Sequence, residues 1–299
     1  MARSTRPLRY TQQYQINPNL TRGKYYYENF KGGQNPLLYT VSGSGIPTLA
    51  VTIPGAGVTY RMQTPKGFIW DYFGNTDQAV LPFGVAASGL NISGDLVDNE
   101  TVEFVPGGNA ANSDLAFVTG TDTDFFFRAR FLLTDASGSD QFGIGFRKQE
   151  AFTAATSFLT TGDALYTDFL LFGFASTKAA ANPVVTSSDI ANGGSSTVSA
   201  VNFTWADGKV HDLEVRVVGR SALTFINGVK TGDAVAFDAL GGAITSQATV
   251  ASAAYTFANA LTLVPFIFLR HDADVNETAC IQEVECGHLV DVGKDPNNE

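Results

Sequence analysis

From about residue 67 onward, apolar and polar side chains alternate with a period of two, the spacing that sends successive side chains to opposite faces of an extended strand. Residues 124–134 set Phe125, Phe127, Ala129, Phe131 and Leu133 on one face and Arg128 and Arg130 on the other, which predicts a long half-buried strand. Residues 141–147 repeat the pattern, with Phe142, Ile144 and Phe146 alternating with glycines. The small polar run 135–140 between them predicts a hairpin that pairs the two antiparallel. Further strands are expected over residues 166–174, 197–204, 209–218, 222–226, 261–270 and 279–285, most of them separated by Gly, Asn, Asp or Ser clusters. Residues 150–165 fit either a short helix or a long loop. Many strands and almost no helix predict an all-β protein, two antiparallel sheets packed face to face with phenylalanines filling the roughly 10 Å between them.

The first 60 residues read differently. Residues 1–35 are polar, basic and tyrosine-bearing, residues 41–57 are rich in Gly, Ser and Pro, and neither stretch has an apolar period of its own. A chain that buries little apolar surface cannot offset its ordering entropy, so residues 1–60 are expected to form an extended arm and linker ahead of a β-sandwich domain over 61–299. Residues 1–31 carry six cationic side chains against Glu28, a net of +5, which leaves −15 on the remainder of a chain whose total is −10. The acidic body repels phosphate backbones, which argues against nucleic acid as a partner. The longest near-apolar run, residues 261–269, is about half the roughly 20 residues a spanning helix needs and holds Thr262 and Pro265, so no membrane partner is expected. No apolar stretch follows the first arginines, as a secretory signal would require, which points to synthesis in a cytosol. Cys280 and Cys286 lie on one extended stretch, roughly 20 Å apart at strand spacing, and are expected to be free thiols.

The run Trp205-Ala206-Asp207-Gly208-Lys209-Val210-His211-Asp212-Leu213-Glu214-Val215-Arg216-Val217, followed by Leu223 to Val229, resembles a hairpin recurrent in concanavalin A-like (laminin-G-type) jelly rolls. Each piece has a physical role: Asp207-Gly208 turns the chain, Leu213, Val215 and Val217 face inward, and Asn227-Gly228 supplies the positive φ of a tight turn. A second likeness covers roughly residues 67–290. The series Phe125-Phe126-Phe127-Arg128-Ala129-Arg130-Phe131 and Phe142-Gly143-Ile144-Gly145-Phe146-Arg147 is similar to virion structural proteins of marine tailed bacteriophages, as are Val264 to Asp274 and Gln282 to Gly287. What this resemblance implies is a particle component with a jelly-roll body and no catalytic residues, located in a virion assembled in a host cytoplasm, on the head or on the tail.

Candidate chemistry is sparse. Retaining glycosidases of this architecture need two carboxylates about 5 Å apart, supplied by a Glu-x-Asp-x-(x)-Glu strand, and the sequence has none; Glu283-x-Glu285 is the nearest pair. There is no Gly-x-Ser-x-Gly elbow, and His211, His271 and His288 stand on separate segments, unsuited to zinc. No cofactor and no metal is expected. Asp272, Asp274 and Asn276 alternate as calcium ligands do, but Glu277 stands where the calcium loop needs glycine, which favours a solvated loop over a ligand or calcium site. Tyr166, Phe169, Tyr255 and Phe257 are candidates to stack on sugars, against burial in the core.

The basic arm is either a solvated tail or an anchor. As an anchor, Arg3, Arg6, Arg9, Arg22 and Lys24 pair with acids on a neighbour while Tyr10, Tyr14 and Tyr25 add contact area. These readings together lead to an expected function: a non-enzymatic capsid accessory protein bound through its arm to the major capsid protein or another virion protein, and assembled as a homo-oligomer, dimer or trimer. Deleting residues 1–31 is then expected to leave a folded body. The alternative is a tail- or head-borne carbohydrate-binding protein that adheres to host glycans.

Overall fold

A computed structural model describes residues 24–31, 37–40, 48–49, 59–64, 66–74, 85–86, 88–92, 101–109, 113–134, 141–152, 166–174, 183–189, 197–200, 208–231, 238–239, 242–243, 255–270 and 279–289. Their regular secondary structure is β throughout, in two large antiparallel sheets and a two-stranded one, Asp238–Ala239 with Gly242–Ala243. In the first sheet the hydrogen-bonded order is Val229–Lys230, Ser221–Ile226, Val210–Val218, Phe125–Leu133, Ala279–His288, Gly89–Asn91 and Val85–Ala86, with Tyr25–Asn29 also paired to Ala279–His288. In the second it is Thr197–Ala200, Pro183–Asp189, Asp168–Phe174, Gln141–Lys148, Thr262–Arg270, Thr101–Pro106, Ile69–Gly74, Thr59–Gln63, Leu37–Thr40 and Thr48–Leu49. No described helix is long and apolar enough to cross a membrane.

The alternation seen in the sequence fills the space between the sheets. Phe125, Phe127, Phe131, Leu213, Val215, Ile281 and Val284 from the first sheet meet Phe104, Phe142, Ile144, Phe146, Leu170, Ile267 and Leu269 from the second, all fully buried. The rings interlock: Phe131 and Phe142 are 4.1 Å apart between centroids, and Phe125 stands edge-on to Phe146 at 5.1 Å. The expected turn at Asn227 and Gly228 is present, with φ of 51° and 82°, and closes the pairing of Ser221–Ile226 with Val229–Lys230.

Two expectations are corrected. Phe125–Leu133 and Gln141–Lys148 do not form a hairpin; they belong to different sheets. Alternation is the same whether two apolar faces lie side by side or face each other, and here they face each other, each strand taking its hydrogen bonds from two other partners. The strands within residues 1–60 are likewise part of the sandwich. Tyr25–Asn29 pairs with Ala279–His288, and Leu37–Thr40 pairs with both Thr48–Leu49 and Thr59–Gln63. Tyr26 and Phe30 enter the core around Trp70, whose indole N–H donates to the Tyr26 hydroxyl at 3.1 Å. A five-residue stretch with tyrosines at every position of its first three was too short to show a period by itself, yet burying Tyr26 and Phe30 supplies the apolar area that orders it. The expected choice between helix and loop over residues 150–165 falls mostly outside the described residues.

Candidate functional site

The second sheet is apolar on both faces. Thr262–Arg270 reads Thr-Leu-Val-Pro-Phe-Ile-Phe-Leu-Arg, and while Leu263, Ile267 and Leu269 point into the sandwich, Val264, Phe266 and Phe268 point away from it into a second buried cluster with Val105, Ala116, Tyr166, Phe169 and Leu171. Consecutive apolar residues are what a strand covered on both sides requires. Half-buried Phe152 packs against this cluster.

Polar groups gather on the same outer face. Glu103 is fully buried; Arg147 donates through Nε to its Oε1 at 2.5 Å and the Tyr166 hydroxyl donates to its Oε2 at 2.6 Å. Burial raises the Glu103 carboxyl above its ordinary 4.5, even though the Arg147 charge and the Tyr166 hydroxyl both favour the ionised form. The Arg147 guanidinium lies over the Tyr166 ring at 4.2 Å and the Phe152 ring at 5.1 Å. Phe152 in turn stacks on Phe73, centroids 5.3 Å apart and nearly parallel.

Next to this group, Asp71 on Ile69–Gly74 accepts from Arg61 Nε at 2.9 Å and from the Asn109 backbone N–H at 2.7 Å. The turn that brings Asn109 there passes through Gly107 and Gly108, both with φ near +85° (85° and 84°), and a Cβ on Gly108 would stand 3.3 Å from Asp71 Oδ2. Asp71 lies opposite Val105 and Glu103 lies opposite Phe73, so the two acids sit diagonally on neighbouring strands of one face.

The sequence-predicted residues fall elsewhere or are corrected. Lys24 is no free anchor: its ammonium donates to the Ala116 carbonyl and lies 5.6 Å from the Phe117 ring. Tyr25 donates to Glu285 Oε1 at 2.8 Å within the protein's own first sheet. Arg3, Arg6, Arg9, Tyr10, Tyr14 and Arg22, and the loop residues Asp272, Asp274 and Asn276, lie outside the described residues. Glu283 and Glu285 are committed to a charge ladder on the outside of the first sheet. Arg128 bridges Glu285 at 3.3 Å and Asp212 at 2.9 Å, and Arg130 approaches Glu283 at 4.0 Å. Of the sugar-stacking candidates, Tyr166 and Phe169 belong to the outer cluster and Phe257 to the inner core. Among the described residues no group of three or more His, Cys, Asp or Glu side chains comes together as a metal site. The residues that sequence reading passed over are Glu103, Arg147, Asp71 and Asn109. The available signal was the doubly apolar run at 261–269, which marks a strand whose second face is also covered.

No family model matches the chain, and no curated protein matches it by sequence. Solved structures do match. An endo-β-galactosidase from Clostridium perfringens that releases GlcNAcα1-4Gal aligns over 91% of this chain at 9% identity and a TM-score of 0.45, the chain spanning 64% of that protein's length. The exoplasmic/lumenal domain of VIP36 in its Ca2+/mannose-bound form aligns over 76% of this chain and 85% of its own, at 8% identity and a TM-score of 0.43. SCLam, a non-specific endo-β-1,3(4)-glucanase, aligns over 89% of this chain and 91% of its own, at 9% identity and a TM-score of 0.42. The fold is all-β, two antiparallel sheets packed face to face around one core.

These structures are glycan hydrolases and a glycan-bound lumenal domain, and none is a virion component. The expectation of a non-enzymatic capsid accessory protein is overturned, and so is the exclusion of enzymes as a class. The placement of Lys24 and Tyr25 gives the physical side of that correction, since two of the residues assigned to the shell anchor are spent inside the fold.

Proposed function

We propose that this protein binds carbohydrate on the outer face of its second sheet. The observation that carries the reading is the half-buried Phe152 ring, which lies beside the Arg147 guanidinium on a face that also holds buried Glu103, Tyr166 and Asp71 and half-buried Asn109, all of them hydrogen-bonded. A sugar ring offers apolar C–H faces and hydroxyl edges, and an aromatic surface next to a few fixed polar groups complements both. A glycan microarray probed with the full chain tests the reading. Binding to at least one oligosaccharide class is expected, with Phe152→Ala weakening it by about 1 kcal/mol, roughly fivefold. Failure to bind any glycan overturns it.

One observation favours a second reading, glycoside hydrolysis. Asp71 and Glu103 occupy diagonal positions on neighbouring strands of one face, so the sheet carries two carboxyl groups side by side, the pair of acids that glycosidases use. The raised proton affinity of Glu103 suits a general acid. Release of reducing ends from a bound oligosaccharide, lost in Glu103→Gln, would establish it; binding with no release leaves the protein a lectin.

A further inference from the structure

Tyr25–Asn29 has one paired side and one open side. Its bonds to Ala279–His288 leave from even-numbered residues: the His288 N–H donates to the Lys24 carbonyl at 3.0 Å, and the Phe30 N–H donates to the Gln282 carbonyl at 2.9 Å. Alternation along a strand turns the peptide groups of Tyr27 and Asn29 the other way, and among the described residues no strand pairs with them there. Asn29 is exposed and Tyr27 half-buried. An open edge of this kind is a template for another extended chain.

One side chain is set against it. Lys66, on the turn between Thr59–Gln63 and Ile69–Gly74, crosses from the second sheet and donates to the Tyr27 carbonyl oxygen at 2.9 Å, its ammonium 4.9 Å from the Tyr27 ring and 3.8 Å from Glu28 Oε1. Tyr27 is the middle residue of the strand, and its carbonyl is the acceptor an incoming strand would need. The turn holds the lysine in place. The Thr64 N–H donates to the Phe68 carbonyl and the Gly67 N–H to the Thr64 carbonyl, both at 2.8 Å, and the Phe68 ring stacks on Tyr26 at 3.9 Å. The Lys66 side chain is 54% exposed, so its pairing with Glu28 adds little stability. What its position does is block: adding a strand here would break the bond to Tyr27 or bury the ammonium.

We infer that the open side of Tyr25–Asn29 is a pairing surface for a second copy of this chain, and that Lys66 keeps it shut. The occupant follows from the strand's own chemistry. Two copies laid antiparallel about a two-fold axis at Tyr27 set Tyr27 opposite Tyr27, an aromatic pair of the kind that stabilises a sheet. Each Tyr27 N–H then donates to the other's carbonyl, the atom that Lys66 now occupies. Glu28, the only charged side chain of the strand, is buried against its own chain and does not repel a mate. The two Lys66 ammoniums are the groups that would meet near the axis, like charge against like.

Sedimentation velocity of the full chain over a concentration series reads the association, and hydrogen exchange of the segment holding Tyr27 locates it. The variants are Lys66→Met, which keeps the apolar stem and removes the charge, Lys66→Arg, which keeps the charge, and Lys66→Met combined with Tyr27→Pro, which removes the outward N–H without touching a bond to Ala279–His288. Lys66→Met is expected to self-associate roughly tenfold or more tightly than the unaltered protein, the equivalent of one displaced charge-assisted hydrogen bond, with slowed exchange at Tyr27. Lys66→Arg should match the unaltered protein, and the double variant should lose the gain. No gain in Lys66→Met, even with a lowered thermal midpoint, overturns the inference and leaves Lys66 a brace for the strand. A gain that survives Tyr27→Pro, or that leaves exchange at Tyr27 unchanged, also overturns it, since the contact then lies elsewhere. So does slow exchange at Tyr27 in the unaltered protein, because the edge is then already paired.

Discussion

Arg147 reaches over Thr262–Arg270 to close on Glu103, Nε to Oε1 at 2.5 Å, and both side chains are removed from solvent. Removing one member of such a pair strands the other charge in a low-dielectric site. Arg147→Met is therefore expected to cost about 3–5 kcal/mol in urea unfolding, whereas Arg147→Met combined with Glu103→Leu recovers much of that loss. A double variant no more stable than the single one would show that the pair is not the source of the cost.

Glu103 and Glu285 both bind a proton more tightly folded than unfolded, in each case because of burial. A raised carboxyl contributes stability that is complete below its unfolded value and fades as pH climbs through the folded one. Stability is thus expected to decline from about pH 4.5 upward on account of these groups, and Glu103→Gln flattens part of that slope. Denaturant midpoints measured across pH 4–8 for both proteins check it, and parallel curves would count against Glu103 as a contributor.

The two thiols are buried and free, with Cys280 pushed up to about 11 by burial and Cys286 raised well above its ordinary value. Thiolate is the reactive form. Ellman's reagent at pH 8 is expected to leave both cysteines untouched in the native protein and to label two per chain in guanidinium. Rapid native labelling would place at least one of them at the surface.

Gly145 lies opposite Leu171, and a Cβ built on it would stand 1.8 Å from the Leu170 carbonyl oxygen. Backbone cannot yield as a flexible side chain does. Gly145→Ala is expected to destabilise by about 3 kcal/mol, the upper end of the overpacking range, read as a lowered thermal midpoint. A Gly208→Ala control, where nothing lies within 4 Å but φ is +65°, should lose only the smaller cost of its positive φ.

Deleting residues 1–31 removes Tyr25–Asn29 with its pairing to Ala279–His288, together with Tyr26 and Phe30 from the core. The truncated chain is expected to be insoluble or to melt far below the full chain. Tyr26→Phe, which leaves the Trp70 indole N–H without its acceptor, should cost about 1–3 kcal/mol. A stable, cooperative truncation would return this segment to the role of an appended arm.

Much of the sandwich is legible in the chain because a period of two has one physical meaning. Phe125, Phe127 and Phe131 can only share a face, and the structure buries that face. The same alternation does not say whether the next strand lies beside or opposite, so it does not show that Gln141–Lys148 pairs with Asp168–Phe174 and Thr262–Arg270. The candidate site was harder still. Glu103 and Arg147 are 44 residues apart, Asn109 and Glu150 are 41 apart, and nothing in either local stretch marks them as partners.

The sequence by itself determined the all-β class, the inward residues of each long strand, the tight turn at Asn227-Gly228 and the doubly apolar character of residues 261–269, because these follow from side-chain periodicity and local backbone preference. Only the tertiary structure decided that Tyr25–Asn29 belongs to the first sheet and that one guanidinium, two acids and an amide share a buried face. Those facts depend on which strands become neighbours, a choice made by the total apolar area buried and the hydrogen bonds satisfied over the whole molecule.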